Sequence, residues 1–261
     1  MTPSSNVVPE RVDAEALERQ GFLLYRTKTN SHDAVCDAMR DLTRSLDGRG
    51  NLVTLDSSGD SRYLPIHTEG IYRAIPPRYF MLGCVTPSVT GGNTIIYDAR
   101  IAAQLIYREQ PELAGVSIVY ASKAHNIAAE HRLVETRRMT ARSVPVLVFR
   151  DKTESNHLKT LPPEWSEESL YACIRGALSR CVIKDHAWRR GDILVVDNHV
   201  TLHARSPFSG TRRLVRLRIN HSESAGCRGE DRRTHSGGQG PAGMSEGAGW
   251  PWSAAVIASS R

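Results

Sequence analysis

The chain has 261 residues, 40% of them hydrophobic and 24% charged, with a formal net charge of +6, which is enough apolar mass for one sizeable core. No run of eighteen apolar residues occurs, and no basic start leads into an apolar stretch, so the expectation is a soluble, cytoplasmic chain without a membrane span. The five cysteines (Cys36, Cys84, Cys173, Cys181 and Cys227) form no C-x-x-C pair, which argues against a disulfide framework or a thiolate zinc site.

In chain order, "PERVDAEALERQG" reads as a helix stopped by Gly21, and "FLLYRT" as the strand after it. "SHDAVCDAMRDLTRSL" is a second helix, with Ser31 as N-cap and one stripe of Val35, Met39, Leu42 and Leu46. The turn-rich "NLVTLDSSGDSR" is expected to be a loop. Strands follow at "YFMLGCVT" and "NTIIYD", then a helix opened by Asp98, then strands at "VSIVYAS" and "SVPVLVF". "SEESLYACIRGALSRCVI" repeats its apolar residues at three and four and is the clearest helix. Two last strands, "DILVVD" and "RRLVRLRIN", flank "NHVTLHARSPFSG". Residues 222–261 are rich in glycine and serine without periodicity and read as a disordered tail. Many short strands with a few covering helices point to a mainly β sandwich or barrel. The expected organisation is a single domain over 1–221, with a helix and strand part at 1–50 and a β core from about 51 to 221.

Within "LPIHTEGIY", His67 and Glu69 are two apart, and in a strand such residues share a face. Two ligands of one ion need that placement, and so does a plain hydrogen-bonded pair at a strand end. "GDILVVDNHVTLHARSPF" runs an apolar strand into the turn-favouring Asp197 and Asn198, then delivers His199 and His203. One more histidine beside His67 and Glu69 would complete a two-histidine, one-carboxylate triad of the kind that holds non-haem Fe(II), and zinc could take the same set.

Basic residues are densest between His203 and Arg218, which raises a nucleic-acid patch or an anion pocket. Period two in "RRLVRLRIN" puts Arg213, Val215, Leu217 and Ile219 on one face and Arg212, Leu214, Arg216 and Arg218 on the other. An arginine among buried aliphatics needs an anionic partner, so Arg213 is expected in a pocket or an internal salt bridge, and the other three on a solvated face. The division of arginines between two faces argues against nucleic acid.

The ordered blocks "HTEGIY…PPRYFMLGCVTPSVTGGNT" and "GDILVVDNHVTLHARSPF…RRLVRL", from about residue 64 to 220, resemble the taurine dioxygenase and clavaminate synthase superfamily of Fe(II)/2-oxoglutarate-dependent oxygenases. The resemblance implies a distorted double-stranded β-helix, a cupin-like jelly roll with helices packed outside. It implies His67, Glu69 and His203 as catalytic metal ligands, with His199 ranked second. It also implies Arg213 on the far carboxylate of 2-oxoglutarate and Thr94 beside the cosubstrate. The implied reaction converts 2-oxoglutarate and O2 to succinate and CO2 while a small molecule is hydroxylated. A carboxylate at Glu69 favours hydroxylation over chlorination, and glutamate in that place is seen in the branch that holds amino-acid hydroxylases of natural-product and antibiotic pathways. A free or carrier-bound amino acid or related metabolite is therefore the expected substrate. Arg62, Tyr63, Tyr72 and Arg205 are candidate substrate contacts. Desaturation or cyclisation on the same iron, a catalytically inactive binding module and a zinc hydrolase are the alternatives. No oligomeric state is implied.

Overall fold

The computed structural model describes residues 6–221 apart from 10, 29–30, 47 and 58–61, so the predicted tail at 222–261 lies outside the described residues. Helices are α1 (Ala14–Gln20), α2 (His32–Ser45), α3 (Ala99–Glu109) and α4 (Glu167–Ser179). Strands of three or more residues are β1 (Phe22–Arg26), β2 (Leu52–Ser57), β3 (Leu64–His67), β4 (Tyr79–Thr86), β5 (Thr94–Asp98), β6 (Ser117–Ser122) and β7 (Ile127–Arg132). They continue with β8 (Val134–Arg138), β9 (Ser143–Leu147), β10 (Asn156–Leu158), β11 (Val182–His186), β12 (Asp192–Asp197), β13 (Thr201–Arg205) and β14 (Arg212–His221).

Local chemistry places the helices. The side chain of Asp13 accepts from Ala16 N–H at 2.8 Å to open α1, and Gly21 closes it with φ of 82°, a left-handed value suited to glycine. Ser31 caps α2 and Asp98 caps α3 through their side chains. Two expectations fail here. Leu52–Ser57 is a strand, because its backbone pairs along β14 from Leu52↔Leu217 to Ser57↔Arg212, a long-range register that local turn residues cannot reveal. The last predicted helix ends at Ser179, and Val182–His186 turns away as β11 against β5.

Two sheets carry the site. The first runs β1-β12-β4-β14-β2 and the second β11-β5-β13-β3. Alternation along the first sheet sends Tyr79, Met81, Ile193, Val195, Val215, Leu217 and Ile219 outward beneath α1 and α2. Phe80, Leu82, Cys84, Leu194, Val196 and Leu214 turn inward, where they meet Ile96 of the second sheet and Trp188. On the second sheet, Leu202 and Ala204 pack outward in the cluster containing α3 and α4. This is the mainly β jelly roll with flanking helices expected from the sequence, and its interior lies between the sheets.

Candidate metal centre

His203 lies on β13 directly across from His67 on β3. Such cross-strand neighbours bring side chains together, and the two rings stand 4.1 Å apart between centroids, with Phe80 packed 4.6 Å from His203. The segment between "DILVVD" and "RRLVRLRIN", to which the sequence assigned only a turn at Asp197 and Asn198, thus holds a further strand under His203.

Glu69 arrives differently. Strand β3 ends at His67, so the alternation that was expected to aim both residues stops short of the carboxylate. The chain turns through Gly70, whose φ of 68° is in the left-handed region and where a Cβ would lie 3.0 Å from Pro77. Asn198 fixes the main chain at this point. Its side-chain oxygen accepts from Glu69 N–H at 2.8 Å, and its amide nitrogen donates to the carbonyls of Glu69 at 3.0 Å and Pro77 at 2.8 Å.

The result is three ligand atoms, one each from His67, Glu69 and His203, all within 4.8 Å of one another. Nε2 of each histidine stands 3.6 Å from Oε2 of Glu69. Three donors about 2.1 Å from one ion at right angles lie about 3 Å apart, so a small contraction would let them share it. The tautomer of His67 suits that task, because Nδ1 donates to the carbonyl of Pro65 at 2.9 Å and leaves the Nε2 lone pair toward Glu69. His199 is not in the cluster. Its backbone N–H donates to Asp197, and its ring is turned toward the carbonyl of Pro76.

Burial of Glu69 would raise its pKa, but His67, His203 and Arg218 outweigh that and hold the carboxyl well below its usual range. Its second oxygen, Oε1, accepts from Arg218, and Arg216 lies 3.4 Å away. Arg218 also donates to the hydroxyl of Tyr72 at 2.9 Å. For His203, burial first and then His67, Arg216 and Arg218 hold the imidazole well below its ordinary pKa, against the pull of Glu69. It is therefore neutral, the form that ligates metals.

The arginine strand reverses one expectation. Arg213 does share a face with Val215, Leu217 and Ile219, but that face looks out toward the helices, not into the interior. At the strand's start it is half exposed and pairs with Asp56 at 2.6 Å. The face expected to be solvated is the one turned inward. Arg212 is 5% exposed, and Leu214 joins the interior cluster. Arg212 donates to the carbonyl of Gly92 at 3.3 Å, stacks on Phe208 at 5.5 Å, and keeps a buried Nε that has no partner among the described residues. Burial, with Arg205 nearby, pushes it down to about 10. Thr94 is buried two residues beyond Gly92 and accepts from Trp188 Nε1 at 3.1 Å.

Of the proposed substrate contacts, the structure brings Tyr72 to the cluster. Tyr63 is exposed and meets Tyr97, which packs in the outer core with α3 and α4. Arg205 reaches the carbonyl of Arg62 at 2.7 Å and the ring of Phe208, near Arg212.

The match to known proteins follows this geometry. The family described as taurine catabolism dioxygenase TauD, TfdA family matches residues 11–218. The chain belongs to the TauD/TfdA family. Among curated relatives, tyrosine isonitrile desaturase of Pseudomonas aeruginosa is 27% identical over 63% of this chain and 62% of its own length. Trimethyllysine dioxygenase of Meyerozyma guilliermondii is 24% identical over 64% of this chain and 45% of its own length. The chain thus matches less than two thirds of either relative. Among solved structures, PvcB of P. aeruginosa superposes with a TM-score of 0.64 at 23% identity, covering 85% of this chain and 84% of that one. A taurine dioxygenase from Burkholderia xenovorans gives 0.58 at 17%, covering 81% and 83%. These likenesses agree with the jelly roll. Among the described residues, no helix is long and apolar enough to cross a membrane.

Proposed function

We propose that this member of the TauD/TfdA family is an Fe(II)/2-oxoglutarate-dependent dioxygenase acting on a small anionic metabolite. His67, Glu69 and His203 would hold the ferrous ion, and Arg212, in place of Arg213, the far carboxylate of 2-oxoglutarate with Thr94 beside it. One observation carries the assignment: a two-histidine, one-carboxylate cluster shares the interior between the sheets with a buried arginine that has no anionic partner among the described residues. A buried guanidinium without a carboxylate is stabilised by a ligand that brings one. Iron and cosubstrate supply O2 activation and oxidation of a substrate C–H bond when bound.

The protein's own groups do the rest. Arg212 orients a dicarboxylate through a charge-assisted fork. Phe80, Leu82, Leu194 and Leu214 line the interior beside the cluster and keep water from it. Arg216 and Arg218 bring two positive charges to one oxygen of Glu69, and the surplus favours a substrate that carries a carboxylate. Tyr72, stacked on His125 at 5.1 Å, offers it a flat aromatic wall. An amino acid or an amino-acid derivative, free or carrier-bound, fits these groups.

The relatives support the same class. PvcB is described as an Fe, α-ketoglutarate-dependent oxygenase from an isonitrile synthetic pathway, and the Pseudomonas relative is a desaturase. Desaturation of an amino-acid-derived isonitrile is accordingly the second reading. The test is anaerobic titration with Fe(II) and 2-oxoglutarate, then admission of O2 with amino acids and their isonitrile derivatives. Succinate release with a product heavier by one oxygen marks hydroxylation, and a product lighter by two hydrogens marks desaturation. No substrate-dependent succinate across the panel counts against the proposed substrate class, and no visible Fe(II)/2-oxoglutarate band counts against the site.

A further inference from the structure

The Asp197-Asn198 pair is turn-favouring by residue type, yet its contacts reach well beyond a turn. Asp197 does shape the corner: its carboxylate accepts from His199 N–H at 3.0 Å, and its carbonyl accepts from the hydroxyl of Thr201 at 2.8 Å. Asn198 faces the other way. It is 3% exposed, and its side chain spends one acceptor and both donors on Glu69 N–H, Glu69 C=O and Pro77 C=O, residues more than 120 positions away. Its own N–H donates to the carbonyl of Arg78 at 2.7 Å. Asn198 therefore binds both ends of the segment 69–78, while five residues later the same chain carries His203 on β13.

We propose that Asn198 is the positioning residue of the metal centre: its amide sets where Glu69 stands relative to His203. The inference rests on the proposed metal site and adds to it the group that registers its two halves. The physical reason is the end of β3 at His67. Strand alternation aims His67 and, through β13, His203, but Glu69 lies past the end of β3, in the turn just before the left-handed Gly70, where no strand ladder holds it. A side chain holding both the N–H and the C=O of one residue removes the main-chain freedom that the ladder elsewhere removes. Arg218 fixes the carboxylate tip, and Asn198 fixes its root.

The test uses the full chain and Co(II), read by competition against a chromophoric chelator and by the ligand-field spectrum, with amide exchange at Glu69 followed in the metal-free protein. Asn198→Asp keeps the size and one acceptor but presents oxygen to two carbonyls, while its extra negative charge would by itself favour a cation. A loss of affinity therefore reports geometry, because charge acts in the opposite direction. Asn198→Ala is paired with Met39→Ala, a destabilising change on the buried face of α2 in the other core. Expected are faster exchange at Glu69 and roughly 10- to 100-fold weaker Co(II) binding in both Asn198 variants, on the scale of lost supports around metal ligands, with parent-like binding in Met39→Ala. Parent-like affinity, spectrum and Glu69 exchange in Asn198→Asp would overturn the inference while leaving the metal site standing. Failure of the parent itself to bind Co(II) would overturn both. If Asn198→Ala does not fold, Asn198→Asp alone decides.

Discussion

Replacing Arg212 by methionine should make the ligand-free protein more stable and blind to 2-oxoglutarate at once. The guanidinium is 5% exposed, its Nε has no partner among the described residues, and burial pushes its pKa from the ordinary 12.5 down to about 10. At about 1.36 kcal/mol per unit, that depression corresponds to about 3 kcal/mol withheld from the folded state at neutral pH. Stacking on Phe208 offsets about 1 kcal/mol. Arg212→Met, which keeps an unbranched stem in the pocket, should then gain about 1–3 kcal/mol, and each kcal/mol raises the melting temperature of a chain this size by about 2–4 °C. In the parent, 2-oxoglutarate supplies the missing anion and should raise the melting temperature. Charge-assisted bonds contribute about 1.5–3 kcal/mol each, so losing a fork should weaken cosubstrate binding roughly 100-fold or more. Thermal melts of both proteins with and without 2-oxoglutarate read the two effects, with Arg213→Met as the exposed control that keeps the parent's response. A variant that melts below the parent and still gains from 2-oxoglutarate would refute the reasoning.

His203→Ala should abolish tight Fe(II) or Co(II) binding while His199→Ala retains it, since the ring of His199 lies at Pro76 outside the cluster; equilibrium metal titration distinguishes them. Burial raises Asp197 to about 6, against Arg78 and the His199 N–H and with Glu18 adding to it. A carboxyl raised on folding binds its proton more tightly in the native state, so this contribution is present below about pH 4 and is lost as pH rises toward 6, about 3 kcal/mol in all. Asp197→Asn, still able to accept from His199, should flatten that slope in urea unfolding between pH 4 and 7, and an unchanged slope would sink the assignment. At Gly83 a Cβ would stand 2.4 Å from Val35 Cγ1 and 2.7 Å from Met39 Sδ. Gly83→Ala should therefore cost about 1–3 kcal/mol in chemical denaturation without moving metal affinity.

The legible parts of the fold were those written in neighbouring residues. Ser31 and Asp98 as caps, Gly21 as a stop, and the stripe Val35, Met39 and Leu42 all rest on contacts within a few positions, and each lies where the periodicity puts it. Leu52–Ser57 and Thr201–Arg205 went unrecognised as strands because turn-like residues and histidines carry weak local preference, and what makes them strands is pairing with distant partners. Ile127–Arg132 and Val134–Arg138, which pair with the legible strands β6 and β9, are hidden for the same reason.

At the site, the chain by itself specified the donor types and their order: a histidine and a glutamate two apart, a second histidine after an Asp-Asn corner, and a strand with arginines on alternate faces. Those follow from residue chemistry and from the two-residue pleat, which are properties of the covalent chain. The tertiary structure alone decided which face of that strand is the interior. Aliphatic Val215, Leu217 and Ile219 satisfy burial beneath α2 as well as they would between the sheets, so hydrophobicity cannot distinguish a helix-covered face from a ligand-lined one. Only the second sheet, by bringing His203 opposite His67 and leaving Arg212 buried without a carboxylate among the described residues, makes the charged face the interior one.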